Sequence, residues 1–353
     1  MTPTATSAPT GVSRVISAWN RFFFAQGPIL SLGVFRIVFA LCLFFEVETT
    51  RAHSRFAIEG GFHIPYLSFI GQVSEPTYHL LHNLQYPFIV LLGLGLFSRA
   101  CCGALLLLQG FVYFNDLQNF RNHPYLFLLV LLLLLFSPAA NAVSVSAMGR
   151  ALFKRRSVIT ALVEQRDSLT CQRLMQIQIC LVYLVAGLHK CTPFFFSGKV
   201  LAYFLNQSVE HWRPYLDFFF ATATADQLQA KLLSPQVQMW PSIMTVVMEL
   251  GLPFALWHRR TRRWAMILGC FFHLGIGVLM NITTFSAAMI ASYLLFLDPE
   301  TLPRLARRLI GDHRGGASPP ASRAERRRAM RQRRKEAGAA RRREPRRGRR
   351  GFW

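Results

Sequence analysis

Negative charge is what this chain most lacks: 17 Asp and Glu stand against 40 Lys and Arg in 353 residues, and charged residues of both signs amount to only 16%. A water-soluble domain of ordinary composition carries about 25% charged residues. With 52% hydrophobic residues and a positive mean hydropathy, the shortage argues against such a domain. Alternating ten-residue strand segments are also missing, so a transmembrane β-barrel is not expected. The seven cysteines, Cys42, Cys101, Cys102, Cys171, Cys180, Cys191 and Cys270, lie mostly in or beside apolar stretches without metal-ligand spacing. They read as small apolar residues rather than a metal centre. No cleavable signal peptide is expected, because the first apolar run starts near Pro28, carries Arg36 and has no small-residue cleavage site after it.

What is present is a series of apolar runs of the length that crosses a bilayer, about 17–25 residues each. They predict an all-α polytopic membrane bundle of about eight transmembrane helices, over 29–46, 84–98, 101–115, 124–140, 174–189, 241–257, 264–280 and 283–297. Positive residues gather on every second connection. Arg14 and Arg21 precede the first helix, Arg99 marks the second turn, and Arg150, Lys154, Arg155, Arg156 and Arg166 fill the 141–173 loop. "HRRTRR" forms the 258–263 loop, and a basic tail follows the last helix. The pattern predicts both termini in the cytoplasm and weakly charged loops (47–83, 116–123, 190–240, 281–282) outside. The expected organisation is a cytoplasmic segment 1–27, a membrane domain 28–298 and a tail 299–353. The 190–240 loop, with "KVLAYFLNQ" and "YLDFFFATATA", is expected to dip into the membrane or lie on its outer face as amphipathic helices.

From Asp298 onward 19 Lys and Arg face 6 Asp and Glu. Such composition predicts a disordered segment tethered to anionic lipid. Nucleic acid is not expected as its partner, because no aromatic platform interleaves the arginines.

The stretch "VYLVAGLHKCTPFFFSGK", Val182 to Lys199, raises the functional question. At 100° per residue, with Gln172 at zero, Gln176 falls near 40°, Tyr183 near 20° and Lys190 near 0°. This narrow polar stripe turns Lys190 inward, toward the bundle, against the alternative of a membrane-edge lysine that snorkels. Ala186 and Gly187 permit a close neighbour. Asn122 and His123 stand just before the fourth helix, with Pro124 in its first turn, on the same expected membrane face as Lys190. Arg36, Glu249 and His273 lie inside apolar helices, where ionisable groups usually face a partner or cavity. One pairing among them, Arg36 with Glu249, is the expectation carried forward.

The chain resembles the membrane domain of the vitamin K-dependent gamma-carboxylase, the HTTM family. The resemblance runs over about residues 28–298. It is carried by "LGVFRIVFA", "FSRACC", "NDLQNFRNHPYLF", "QIQICLVYLVAGLHK", Gly198 eight residues after Lys190, "ELGLPF", "FFHLGI" and "TTFSAAMIASYLLFL", in that order. It implies Lys190 as the base that deprotonates reduced vitamin K or menaquinol, with His189 beside it and with Asn122 and His123 supporting the intermediates. Oxygen and carbon dioxide are the implied co-substrates, and a glutamate of a secreted peptide or protein on the outer face is the implied acceptor. Tyr125, Tyr183, Phe195 and Gly198 are the candidates for contacting the quinone. Phe195 stands where the family usually has tryptophan, and Phe194, Phe195 and Phe196 could wall the lysine in apolar surroundings that favour a neutral amine. The expected product is a lysine-based quinol epoxidase of a bacterial inner (cell) membrane, with or without peptide glutamate gamma-carboxylation, a lyase reaction. The rival readings are a non-carboxylating maturation factor for a secreted peptide and a non-enzymatic scaffold or transporter-like component.

Overall fold

The computed structural model describes residues 11–59, 63–66, 71–155 and 157–310. Its helices are α1 (Gly11–Phe23), α2 (Leu30–Glu59), α3 (Glu75–Leu94), α4 (Ser98–Asn115), α5 (Asn122–Leu135), α6 (Val145–Phe153) and α7 (Val158–Val163), followed by α8 (Thr170–Lys190). The chain continues through α9 (Pro193–Phe196), α10 (Lys199–Gln207), α11 (Val209–Phe219), α12 (Thr222–Leu232), α13 (Pro235–Trp257), α14 (Arg262–Met280), α15 (Thr283–Ser292) and α16 (Thr301–Ile310). Each of the eight expected segments contains a helix, although α3 ends at Leu94 and α5 at Leu135, short of the expected 98 and 140. Four helices are long and apolar enough to cross a membrane: Leu30–Ala52, Thr170–Lys190, Pro235–Trp257 and Arg262–Met280. Asn122–Leu135 and Thr283–Phe296 are shorter apolar helices.

Several ends move, each for a local reason. The first helix continues past 46 to Glu59, and α3 starts at Glu75, so much of the expected 47–83 loop is helix. The helix expected from Pro241 starts six residues earlier, where Ser234 Oγ accepts the Val237 N–H and Pro235 takes the first turn. Pro241 is carried inside it. α5 starts at Asn122, which brings His123 into its first turn. The last expected helix ends at Ser292 and tightens into a 3-10 turn, Tyr293–Phe296.

The 190–240 segment is four consecutive helices, α9–α12, packed on α13 and α14. Ser208 Oγ donates to the Leu279 carbonyl (2.5 Å), and Asn281 meets the His211 ring (2.7 Å). Arg213 ties α11 to α12 by pairing with Asp217 and Asp226, both at 2.8 Å, and with Gln229.

The basic turns converge at the other end. Gln26–Pro28 pairs antiparallel with Arg166–Ser168, a two-stranded ribbon that three-residue runs gave no means to foresee. Asn141 Nδ2 donates to Asp167 (3.0 Å), Arg166 pairs with Glu300 (3.0 Å) and Arg262 with Asp298 (3.0 Å). Arg36 serves this end rather than Glu249. Its guanidinium, fully buried, donates to the carbonyls of Ala139 (2.7 Å), Ala142 (3.4 Å), Val143 (2.7 Å) and Gly93 (3.3 Å). The expected Arg36–Glu249 pair is therefore absent, because Arg36 lies two turns into α2 beside the 139–143 segment. Gly95 makes the seat: its φ of 73° closes α3, and a side chain there would run into Ser144 and the Arg36 guanidinium.

α2 is the central strut. Phe35, Phe39 and Phe127 stack at 5.8 and 5.4 Å between ring centroids, joining α2 to α5. Two-thirds of Leu30–Ala52 is buried against 17% of Arg262–Met280, which places α14 at the periphery. The chain forms two compact units, Met1–Pro303 and Arg304–Trp353. The second is described only to Ile310, so the expected lipid tether of residues 311–353 lies outside the described residues.

Candidate functional site

The polar stripe of α8 turns into the bundle as its helical phase predicts. Gln172, Gln176 and Tyr183 are each buried, and the two glutamine amides both donate to the Leu295 carbonyl, at 2.7 and 2.6 Å. The Tyr183 hydroxyl sits between His273 Nε2 of α14 and the Tyr293 hydroxyl, 2.6 Å from each. Gly269 makes room for that cluster, since a β-carbon there would overlap the Tyr293 hydroxyl.

At the last residue of α8, Lys190 Nζ lies 2.7 and 2.8 Å from the two carboxylate oxygens of Glu249 on α13. The lysine side chain keeps 31% of its exposure and the glutamate 8%. The pair exists because α8 and α13 approach closely one turn earlier. A β-carbon on Gly187 would stand 2.8 Å from Leu250 Cδ2 and 3.2 Å from Glu249 Cβ. A small residue at an interhelical contact is what permits such an approach.

His123 reaches the same region from α5. Its ring stacks on Phe285 of α15 at 4.5 Å, Phe285 meets His273 at 5.8 Å, and His273 meets Tyr183 at 5.7 Å. Tyr183 in turn lies two turns before Lys190 on the same face of α8. An aromatic run thus links His123 to Tyr183, on the α8 face that carries Lys190. His123 Nδ1 and His273 Nδ1 are buried without a hydrogen-bond partner.

Other candidates sit elsewhere. Asn122 is exposed at the start of α5, and His189 is exposed with Nδ1 on the Val185 carbonyl (2.8 Å). Tyr125 points to an apolar groove of about 400 Å³ between α4 and α5, whose lining includes neither Lys190 nor Glu249. Phe195 is buried and its N–H is received by Thr192 Oγ1 (3.2 Å), while Phe194 is exposed, so the three phenylalanines do not form one wall. Gly198 has a structural reason of its own. It opens α10 at φ 79°, and a β-carbon there would strike the backbone of Pro235, Gln238 and Met239.

Sequence reasoning missed three members of this region. Glu46 of α2 is buried and accepts from the Thr284 hydroxyl (2.5 Å), next to Phe285. A carboxylate in an apolar run was the available signal. Phe285 and Tyr293 carry no such mark in the sequence.

No group of His, Cys, Asp and Glu suited to a metal ion occurs among the described residues. Comparison with solved structures returns no match. The family model described as the HTTM domain matches residues 24–300, which spans the bundle from the ribbon strand Gln26–Pro28 to Glu300. The chain is a membrane protein of the HTTM family.

Proposed function

We propose that this HTTM protein is a lysine-based quinol epoxidase of a bacterial inner (cell) membrane, acting near the outer face, with or without gamma-carboxylation of a peptide glutamate. The observation that carries the reading is the placement of Lys190. A partly exposed lysine at a helix end pairs with the buried Glu249 and lies two turns along the same face of α8 from Tyr183, which connects through His273 and Phe285 to the half-buried His123. The arrangement has the parts that proton abstraction needs: an amine open on one side, and buried polar and aromatic groups behind it. Reduced vitamin K or menaquinol would supply the oxidisable ring, with oxygen as oxidant and carbon dioxide needed only for carboxylation. The apolar groove beside Tyr125 is chemically suited to an isoprenoid tail.

The test gives purified protein reduced vitamin K or menaquinol with oxygen and seeks the epoxide by mass spectrometry. Epoxide formation is expected; its absence across several quinols sinks the reading. A second reading, a non-enzymatic scaffold or a maturation factor for a secreted peptide, is favoured by one fact. The two-pronged Lys190–Glu249 pair is also what a structural clasp between α8 and α13 looks like.

Eight spans with both termini in the cytoplasm complete the proposal. It is supported by the convergence of the basic turns at one end of the bundle. Reporters fused after residue 310 and within α11 should read as cytoplasmic and periplasmic respectively. The same side for both refutes the arrangement.

A further inference from the structure

Lys190 faces a conflict as a base. Its nitrogen is held by a carboxylate, and an ammonium must give up a proton before its lone pair can take one. We propose that the base of this site is the Lys190–Glu249 pair acting as a unit, with Glu249 the positioning residue that stores the proton Lys190 releases. The inference rests on the assignment of Lys190 to proton abstraction from a quinol.

The geometry supplies the route. Among the described residues, the side-chain hydrogen bonds of Lys190 all go to Glu249, and those of Glu249 all go to Lys190. Glu249 keeps 8% of its exposure and Lys190 31%, so Lys190 is the more accessible member of the pair. A proton from a bound hydroxyl therefore meets Nζ first.

The step balances without an oxidant. One N–H proton of the ammonium moves to a Glu249 oxygen, leaving amine and carboxylic acid. The amine lone pair then forms an N–H bond to the quinol hydroxyl proton as that O–H bond breaks, and its electron pair stays on oxygen as the quinolate. The pair ends as ammonium and carboxylic acid beside the quinolate, one positive and one negative charge as at the start, so the net charge of the site is unchanged. In a low-dielectric interior that neutrality matters, because each uncompensated charge costs several kcal/mol.

The ionisable groups facing the pair are few. Tyr183 of α8 lies two turns before Lys190 on the same helix face, and its hydroxyl is occupied by His273 of α14 and by Tyr293. α9 has no ionisable residue. Lys199 and Tyr203 of α10 and Lys231 of α12 are exposed, and Asp226 of α12 pairs with Arg213.

The test follows vitamin K epoxide formation by full-length protein from about pH 6 to about pH 10. Glu249→Gln should fall about 10²–10⁴-fold at neutral pH. It should recover as pH rises toward the range where a lysine loses its proton to water, about 10.4. Glu249→Asp, which keeps a carboxylate on a shorter stem, should retain neutral-pH activity at a reduced rate. Glu249→Gln with a wild-type rate at neutral pH, or with a uniform loss and no alkaline recovery, overturns the proposal. Where Glu249→Gln does not accumulate, Glu249→Asp decides, and loss of its neutral-pH activity overturns the proposal too. An inactive Lys190→Arg beside an unaffected Glu249→Gln removes this inference and leaves Lys190 as the base. No epoxide from the wild type removes the quinol reading itself, and full activity in both variants removes Lys190 as its base together with this inference.

Discussion

Lys190→Arg should leave the protein in the membrane at wild-type levels and lower quinol epoxidation by about 10²–10⁴-fold, the usual contribution of a positioned base. Arginine keeps a positive charge in reach of Glu249, and its fork suits a carboxylate held by two bonds. It does not deprotonate in proteins, so it cannot accept a proton. The variant thus separates the clasp from the base, which Lys190→Ala cannot do cleanly. Alanine leaves Glu249, 8% exposed, without its partner. Removing one member of a buried pair costs about 3–5 kcal/mol, and the low end applies because Lys190 is 31% exposed. Loss of activity in Lys190→Ala could then report loss of protein. If Lys190→Arg epoxidises at the wild-type rate, the lysine is a clasp between α8 and α13 and the base of the reaction lies elsewhere.

The largest stability effect should come from Arg36→Met. Methionine fills similar space but leaves the carbonyls of Ala139, Ala142, Val143 and Gly93 without their donor. A hydrogen bond to a charged group contributes about 1.5–3 kcal/mol, and orphaned buried acceptors add a desolvation cost. These contributions are not additive, and a total of about 3–5 kcal/mol is expected. Membrane yield should drop sharply, and the melting temperature in detergent should fall. An unchanged melting temperature would show that the loops hold without the guanidinium. Because Arg36 lies at the end opposite Lys190, any protein that survives should keep its epoxidation rate per folded molecule.

The sequence made the bundle legible because helical periodicity and apolar length are local properties. Each expected segment contains a helix, four of the helices are long and apolar enough to cross a membrane, and the phase of Gln172, Gln176, Tyr183 and Lys190 was correct because 100° per residue needs no neighbour to be known. Helix ends were less legible. Start signals compete, and Ser234 with Pro235 outweighed Pro241 through a cap that only the folded chain displays.

Family membership also follows from sequence, since ordered motifs from 24 to 300 suffice for it. The partner of each buried charge did not follow. Arg36 and Glu249 have opposite charges and apolar surroundings, yet each found its match elsewhere: Arg36 on four carbonyls, Glu249 on Lys190. Pairing depends on depth along antiparallel helices and on where small residues let them approach. Gly187 against Glu249 and Leu250 sets that level for α8 and α13, and no spacing along the chain encodes it. The sequence by itself determined that a lysine faces inward at the end of an apolar helix. Only the tertiary structure decided that the lysine meets a carboxylate there, because that contact joins residues 59 positions apart across two packed helices.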